Sequence, residues 1–387
     1  SNSSITSSFA SIDTNASIAS NTGLSDNTWG YAFMDETMNN PTWSSYSGLP
    51  LYSSTAPVTL KSSLSPATSA EGDKIKFKIA AKSSVSQSSG EYNNVINFTI
   101  TTQPIPVTLS MAYENAGKQK LNGYYKLQDM TVDICNATEV LDEGSQTQLI
   151  DVRDNKVYWA TKLQDGHCWM TQNLDHDINV NFAYTPDNTD IPTNWTPDKS
   201  TYTTGTTTWA TGSAGFNIQQ SYDPGNKIWD GTPSSTSLTL DTMTQGTNQH
   251  YHIGNCYNFG AAVAMNDTSS YTTQNTDVNQ SICPKGWTLP KSGNITTAGS
   301  FQYLMDQYNW ANNSMTNPNI WSAPLYFPLA GHWDGTSYHV ARLDYFWSSV
   351  VHSSTDAYYL YGTYDGYVYP VSFRTRNGGL SIRCVSR

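Results

Sequence analysis

Residues 149–174, LIDVRDNKVYWATKLQDGHCWMTQNL, carry the clearest local pattern in the chain. Apolar residues at 149–152 and 157–159 flank Asp154 and Asn155, and these two residue types favour the tight turn of a β-hairpin. The pattern predicts two antiparallel strands, with a further strand around Cys168.

Helical periodicity lies farther along the chain. The apolar spacing i, i+3, i+4 and i+7 predicts one amphipathic helix, formed by Phe301, Leu304, Met305 and Tyr308. Residues 259–265, FGAAVAM, indicate a second, shorter helix. After Trp321 the chain returns to strand-like stretches rich in Tyr and Trp, so we expect a mixed α+β domain in the C-terminal part.

Residues 181–249 form a long stretch with little periodicity inside this part. A loop of that length in a compact domain is normally functional or held by its own side chains. Four aromatic residues are candidates for holding it: Trp195, Trp209, Tyr222 and Trp229.

The N-terminal third reads as β-structure. Ile75, Phe77 and Ile79 alternate with lysines, which predicts a strand with one buried face. Similar patterns recur at 29–33, 58–60 and 96–100, and Ser/Gly/Pro turns separate them. We therefore expect an all-β, immunoglobulin-like sandwich over residues 1–103. Pro104 and Pro106 then favour an extended connector, which we place at residues 104–125.

Residues 1–26 are polar and Ser-rich, and their apolar residues keep no clean period of two. A sandwich short of strands exposes unpaired edges, which invites a strand from another chain. The alternative is that this segment packs on its own sandwich. Self-association through the N-terminal sandwich is accordingly a candidate contact.

Composition limits the function classes. The net charge of −11 and the pI near 4.9 disfavour a nucleic-acid partner, because an acidic surface repels phosphates. Charged residues are only 13 %, against ~25 % in an average soluble protein, while Trp, Tyr and Phe number 12, 25 and 11. This balance is typical of secreted, β-rich surface proteins. We expect no membrane-spanning segment, since no run of about 20 apolar residues occurs, and no signal peptide at the start of this sequence.

Five cysteines, all beyond residue 134, allow two disulfides and one remaining thiol in an oxidising compartment. None forms a C-x-x-C pair, which weighs against zinc knuckles and thioredoxin-like chemistry.

A search for catalytic and metal motifs gives weak candidates only. The chain has no G-x-S-x-G, H-E-x-x-H, Walker or G-x-G-x-x-G motif. His250 and His252 would share one face of a strand, but a third ligand is missing, which favours a structural role. Asp175, His176 and Asp177 offer two carboxylates for a cation, or else form a solvated loop. We assign no catalytic residue, no metal and no cofactor.

Aromatic residues are the other candidate site. They provide either stacking platforms for a glycan or anchors for a protein partner, or else ordinary core packing. The candidates are Trp195, Trp209, Trp229, Trp333, Tyr358, Tyr361, Tyr364 and Tyr367.

Four motifs resemble one bacterial family. They are GHCWMTQNL at 166–174, CPKGWTLP at 283–290, YFWSS at 345–349 and SIRCV at 381–385. In this order they are similar to the signatures of the Fibrobacter succinogenes major paralogous (FISUMP) domain. The resemblance covers roughly residues 132–387. The stretch from Asn27 to Thr102 resembles, on one short motif and its strand pattern, the sandwich domains that precede such modules in bacterial surface proteins.

The resemblance implies a C-type-lectin-like, sulfatase-modifying-factor-like fold with long loops for residues 126–387, with the insertion at about 181–249. It implies a bacterial extracellular or cell-surface location and two disulfides, Cys135–Cys168 and Cys283–Cys384. Cys256 then remains a buried thiol or forms an intermolecular disulfide. The tripeptides of calcium-dependent lectin sites are missing, and Pro186-Asp187-Asn188 resembles them only in part.

Three functions remain as hypotheses. The first is a non-enzymatic, adhesin-like binding protein that presents a lectin-like domain to an unknown protein or glycan on another cell. The second is a structural subunit of an extracellular fibre or surface layer. The third is a formylglycine-generating-type enzyme, which needs a reactive cysteine pair that the two expected bridges would not leave.

Overall fold

The structure is a computed structural model that describes residues 10–11, 28–35, 75–82, 84–85, 106–140, 146–178, 181–197, 215–216, 228–239, 242–310, 320–333 and 339–387. The chain divides into two compact units, Ser1–Ile105 and Pro106–Arg387.

The described strands of the first unit form one sheet in the order β1-β2-β3, with β1 at Ala10–Ser11, β2 at Thr28–Asp35 and β3 at Ile75–Lys82. β2 and β3 are antiparallel, with Tyr31 opposite Ile79. β1 pairs in parallel with the first residues of β2, so the segment before Asn27 contributes a strand to its own chain.

The immunoglobulin-like sandwich predicted for residues 1–103 is wrong. The described strands form a single three-stranded sheet that includes a parallel pair. Ile79, which the alternating pattern assigned to a buried face, is 52 % exposed. An alternating pattern predicts that a strand forms, but the pairing and the covering of its faces depend on distant residues. The strands predicted at 58–60 and 96–100 lie outside the described residues.

In the second unit the described helices are short: α1 (Leu109–Asn115), α2 (Val132–Ala137), α3 (Phe259–Ala262) and α4 (Phe301–Gln307). The strands are β4 (Tyr125–Lys126), β5 (Thr147–Ile150), β6 (Val157–Lys162), β7 (Cys168–Met170), β8 (Gly215–Phe216), β9 (Cys256–Tyr257), β10 (Trp287–Thr288), β11 (Leu343–Val351), β12 (Asp356–Thr363), β13 (Val368–Thr375) and β14 (Val385–Ser386).

A curled six-stranded sheet organises this unit, in the order β10-β14-β7-β6-β5-β4. The predicted hairpin is present as β5 and β6, and Asn155 takes the positive φ of 60° that the turn requires. β14 pairs with β7 through Val385 and Trp169, and with β10 on its other side. The last strand of the chain therefore lies inside the sheet.

Both faces of the six-stranded sheet are covered. Cys168 and Met170 of β7 pack into one hydrophobic core, and Trp169 between them packs into the other. This double covering explains why the CWM run is apolar without alternation. α1 packs into the first core through Leu109 and Tyr113, although the sequence placed these residues in a connector.

The α+β, C-type-lectin-like fold predicted for residues 126–387 is wrong. The unit is mostly β, and no described helix exceeds seven residues. The apolar spacing around Phe301 supports only α4, which Ser300 caps and which ends before Asn309 with a φ of 55°. α3 stops after four residues, and Ala264 turns the chain with a φ of 50°. In the described part of the chain, no helix is long and apolar enough to cross a bilayer.

Candidate ligand-binding face

The antiparallel sheet β11-β12-β13 has two faces of different character. Successive side chains of a strand point to opposite faces. Phe346, Leu360 and Val368 lie on one face and are buried in the second core. The opposite face carries tyrosines from all three strands.

The strand register places these tyrosines in a row. Tyr345 of β11 lies opposite Tyr361 of β12, which lies opposite Tyr369 of β13. Tyr359 and Tyr367 extend the row, each two residues from a member of it. We call these five residues the tyrosine face.

Neighbouring rings of the tyrosine face pack on one another. The ring centroid of Tyr345 lies 5.5 Å from that of Tyr359 and 5.2 Å from that of Tyr361. Tyr369 is 5.5 Å from Tyr361 and 6.2 Å from Tyr367. These separations are those of favourable aromatic pairs, so each ring restrains the next and the surface is pre-organised.

The tyrosine face is open to solvent in part. Tyr345 is 7 % exposed, whereas its four neighbours are half-buried. The Arg374 guanidinium lies 5.6 Å from the Tyr345 ring centroid, and His332 packs edge-on against the same ring at 4.5 Å. Tyr345 belongs to the first hydrophobic core, and Tyr359 and Tyr361 pack against that core. The face thus combines partly exposed aromatic surface with a cation at its border.

Three of its hydroxyl groups have a raised pKa and are protonated at neutral pH. Burial raises the pKa of Tyr359 to about 12, with Arg374 opposing the shift, and burial also raises the pKa of Tyr345 and Tyr361. A protonated phenol both donates and accepts hydrogen bonds. The three groups suit recognition of polar ligands, and they do not supply a tyrosinate nucleophile at this pH.

A buried carboxyl group lies beneath the row. Asp344 is fully buried on the same face of β11 as Phe346, and burial raises its pKa to about 8, against the opposing effects of the Gly362 amide and Arg383. A Cβ at Gly362, opposite Asp344 in the register, would lie 2.3 Å from its Oδ1, so a larger residue there would displace the carboxyl group. Asp344 is therefore mostly neutral at pH 7.

Asp175, His176 and Asp177 were predicted to form either a cation site or a solvated loop. The structure shows another arrangement. Asp175 and His176 are 5 % and 0 % exposed, so they are not in a solvated loop. His176 Nδ1 lies 2.9 Å from Asp154 Oδ2, and its Nε2 lies 3.0 Å from the Tyr184 hydroxyl. No motif or spacing predicts this pairing, because Asp154 lies in the hairpin turn, 22 residues before His176.

Asp151, Asp154 and His176 bring three ligand atoms within 4.8 Å of one another. The Arg153 guanidinium pairs with one carboxylate of this cluster, with Nη2 2.7 Å from Asp151 Oδ2. His176 joins Asp154 through Nδ1 and Tyr184 through Nε2, so the three residues belong to a buried hydrogen-bond network.

His250 and His252 do not share a strand face, because residues Gln249–Tyr251 form a 3-10 helix. His250 stacks on Tyr326, with ring centroids 4.2 Å apart, and its burial lowers its pKa to about 4. His252 Nδ1 accepts a hydrogen bond from the Gly254 amide. The prediction of a common strand face is wrong here.

The aromatic candidates separate into two groups. Trp195, Trp229 and Tyr358 are buried, Tyr364 packs against the second core, and Trp333 is half-buried. Tyr361 and Tyr367 belong to the tyrosine face, and Trp209 and Tyr222 lie outside the described residues. The sequence analysis missed Tyr345, Tyr359 and Tyr369. The two-residue spacing in YLY at 359–361 and YVY at 367–369 is the signal that would have found the last two.

Two disulfides are present, Cys135–Cys168 and Cys283–Cys384, the pairs that the resemblance implied. The first joins α2 to β7, and the second joins residues 101 positions apart. Cys256 is buried in β9 and belongs to neither bridge.

Comparisons with protein-family profiles, with curated proteins and with solved structures each found no match to this chain.

Proposed function

We propose that the protein is a non-enzymatic, adhesin-like binding protein of the extracellular space or cell surface, and that its ligand binds on the tyrosine face. The observation that carries this proposal is the row of Tyr345, Tyr361 and Tyr369 across three strands, with adjacent ring centroids 5.2 and 5.5 Å apart.

Rigid aromatic surface favours binding. Tyr and Arg dominate the energetically important residues of interfaces, since they give large contact areas and retain hydrogen-bonding groups. The tyrosine face combines both residue types, and ring packing reduces the entropy lost on binding. The ligand we expect is a glycan or a protein on another cell, which the phenol groups would contact through ring faces and hydroxyls.

The two disulfides support an extracellular setting, because such bonds persist in oxidising compartments. The low charge content adds to this argument, since the surface must rely on Ser, Thr and Asn for solubility.

Binding of the purified chain to glycan and protein arrays tests the proposal, with Tyr361→Ala and Tyr369→Ala as variants. Each variant should lose about tenfold or more in affinity for the ligand that is found. Phe373→Ala is the matched control, because Phe373 is 55 % exposed on the same sheet but is not part of the row. Unchanged affinity in both tyrosine variants, at an unchanged melting temperature, would contradict the proposed face.

A further inference from the structure

A pocket lies at the end of the six-stranded sheet where β4, β5 and β6 meet α1, and none of its lining residues belongs to β11–β13. It encloses about 270 Å³. Pockets for drug-sized ligands run from about 300 to 1,000 Å³, so this volume suits a smaller ligand such as one sugar ring. The lining side chains that matter here are Lys120, Tyr124, Tyr125, Gln146, Gln148 and Trp159.

An aromatic side chain and an amide side chain lie next to each other in the lining of this pocket. Trp159 is half-buried on β6 and lies opposite Gln148 of β5 in the register. A half-buried indole offers a flat apolar surface, while the amide of Gln148 both donates and accepts hydrogen bonds. This pairing fits a pyranose, whose ring faces are apolar and whose equatorial hydroxyls are polar.

The polar groups of the pocket are held in place. Gln146 Oε1 accepts a hydrogen bond of 2.8 Å from the Thr171 hydroxyl, which orients the amide and leaves its Nε2 as a donor. The Ser110 amide donates to Thr147 Oγ1 at 3.1 Å and fixes α1 against β5. Pre-oriented donors of this kind lower the entropic cost of binding.

The charge at the mouth of the pocket is positive. Lys120 Nζ lies 4.9 Å above the Tyr125 ring, and within the described part of the chain it forms no ion pair with a carboxylate. Residues 115–128, NAGKQKLNGYYKLQ, contain three lysines and no acidic residue, in a chain whose net charge is −11. A local cation on an acidic protein favours an anionic ligand at this place.

We propose that this pocket binds an acidic sugar residue, with the ring on Trp159, the hydroxyls on Gln146 and Gln148, and the carboxylate on the Lys120 ammonium. The site is separate from the tyrosine face, so the proposal does not depend on the function proposed for that face.

Saturation-transfer NMR on the full chain, with sodium glucuronate as the probe and glucose as the neutral comparison, tests this proposal. We expect transfer to the glucuronate ring protons, with a dissociation constant that rises when sodium chloride is raised from about 50 to 500 mM. Glucose should bind about tenfold more weakly, since it lacks the charge-assisted contact.

Lys120→Met keeps the length of the side chain and removes its charge, so it should weaken glucuronate binding about tenfold and abolish the salt dependence. Lys118→Met is the matched control, because Lys118 belongs to the same basic segment but does not line the pocket. It should change the affinity by less than about twofold. Trp159→Leu should reduce binding of both sugars.

Three results would overturn the proposal: no transfer to glucuronate, equal losses in Lys118→Met and Lys120→Met, or equal binding of glucose and glucuronate. Because Trp159 also contacts His250, with ring centroids 5.0 Å apart, the melting temperature of each variant must be measured beside its affinity. Loss of glucuronate binding in Tyr361→Ala would assign the sugar to the tyrosine face instead.

Discussion

Arg153 and Arg383, two of the buried arginines of the second unit, have charges that are stabilised in opposite ways. Arg153 is paired with a carboxylate, and its guanidinium contacts both oxygens of Asp151 at 2.7 to 3.0 Å. Arg383 donates instead to neutral oxygens, those of Met170, Leu325, Tyr326 and Asn173. The guanidinium carbon of Arg383 lies 4.4 Å from the ring centroid of Phe327, which adds a cation–π contact.

The difference appears in the proton affinities. Burial alone would lower the pKa of Arg153, but the adjacent Asp151 carboxylate outweighs burial and raises it above its usual range. Burial lowers the pKa of Arg383 to about 9, and Asp344 opposes this only in part. A buried pair is thus stable while both partners are present, whereas Arg383 depends on dipoles that cannot titrate.

The Cys283–Cys384 bridge connects the two regions. Ile282, just before Cys283, accepts a hydrogen bond from Arg153 through its carbonyl, and Arg383 directly precedes Cys384. The double variant Cys283→Ala/Cys384→Ala should lower the free energy of unfolding by about 4–5 kcal/mol, because the bridge closes a 101-residue separation. Urea unfolding measures the loss, and Cys256→Ala is the control outside both bridges. Separate transitions for the two regions would show that only the bridge couples them.

Arg153→Met should cost about 3–4 kcal/mol, because it leaves the Asp151 carboxylate buried without its partner. Adding Asp151→Leu should recover part of the loss, since the pair is then replaced by apolar side chains. Unfolding free energies of the wild type and the three variants give the coupling energy. A double variant less stable than Arg153→Met would refute this account.

Asp344 should make the region of Arg383 less stable as the pH rises. The pKa of Asp344 is about 8 in the folded state, which is above its value in the unfolded state. The contribution of Asp344 to the free energy of unfolding is therefore complete below the unfolded pKa and is lost as the pH rises towards 8. Between pH 5 and 7 this amounts to about 2–3 kcal/mol. Asp344→Asn should therefore gain stability relative to the wild type over that range. Urea unfolding measures the difference in unfolding free energy between Asp344→Asn and the wild type. If this difference is the same at pH 5 and pH 7, Asp344 does not have a raised pKa.

Asp151 should act with the opposite sign and in a more acidic range. Burial would raise its pKa, but Arg153 outweighs burial and lowers it, so the stability it provides is present above the unfolded pKa and lost as the pH falls through the folded one. We expect the smallest of these effects, a loss of stability as the pH falls below the unfolded pKa, measured as the difference in melting temperature between the wild type and Asp151→Asn. If the wild type and Asp151→Asn lose stability equally as the pH falls, other carboxyl groups cause the loss of stability in acid.

Local features of the fold could be predicted from the sequence, and distant pairings could not. The turn at Asp154-Asn155 and the helix that begins at Phe301 depend on residues close to each other in the sequence, and both elements are present. The sandwich and the α+β domain were wrong because they depend on which strands meet. β14 enters the sheet between β7 and β10, and local sequence carries no signal for that register.

The same distinction applies to the candidate sites. Tyr361 and Tyr367 were predicted as stacking platforms, partner anchors or core residues, but their row needs the register with Tyr345. His176 contacts Asp154 and Tyr184, and no spacing rule connects these residues to it. The disulfide pairs followed from motif resemblance, since five cysteines leave the pairing open by arithmetic.

The place of β14 also has a consequence for biosynthesis. The Cys168 amide of β7 donates to the Ser386 hydroxyl of β14, and 218 positions separate the two residues. At a translation rate of about 5–20 residues per second, β7 leaves the ribosome roughly 10–40 s before its partner strand. During that time the edge of β7 that pairs with β14 has no partner, and an unpaired strand edge is a site for aggregation. The chain must therefore be protected while it is being made, and its yield should depend more on chaperone supply and translation speed than on the stability of the finished fold.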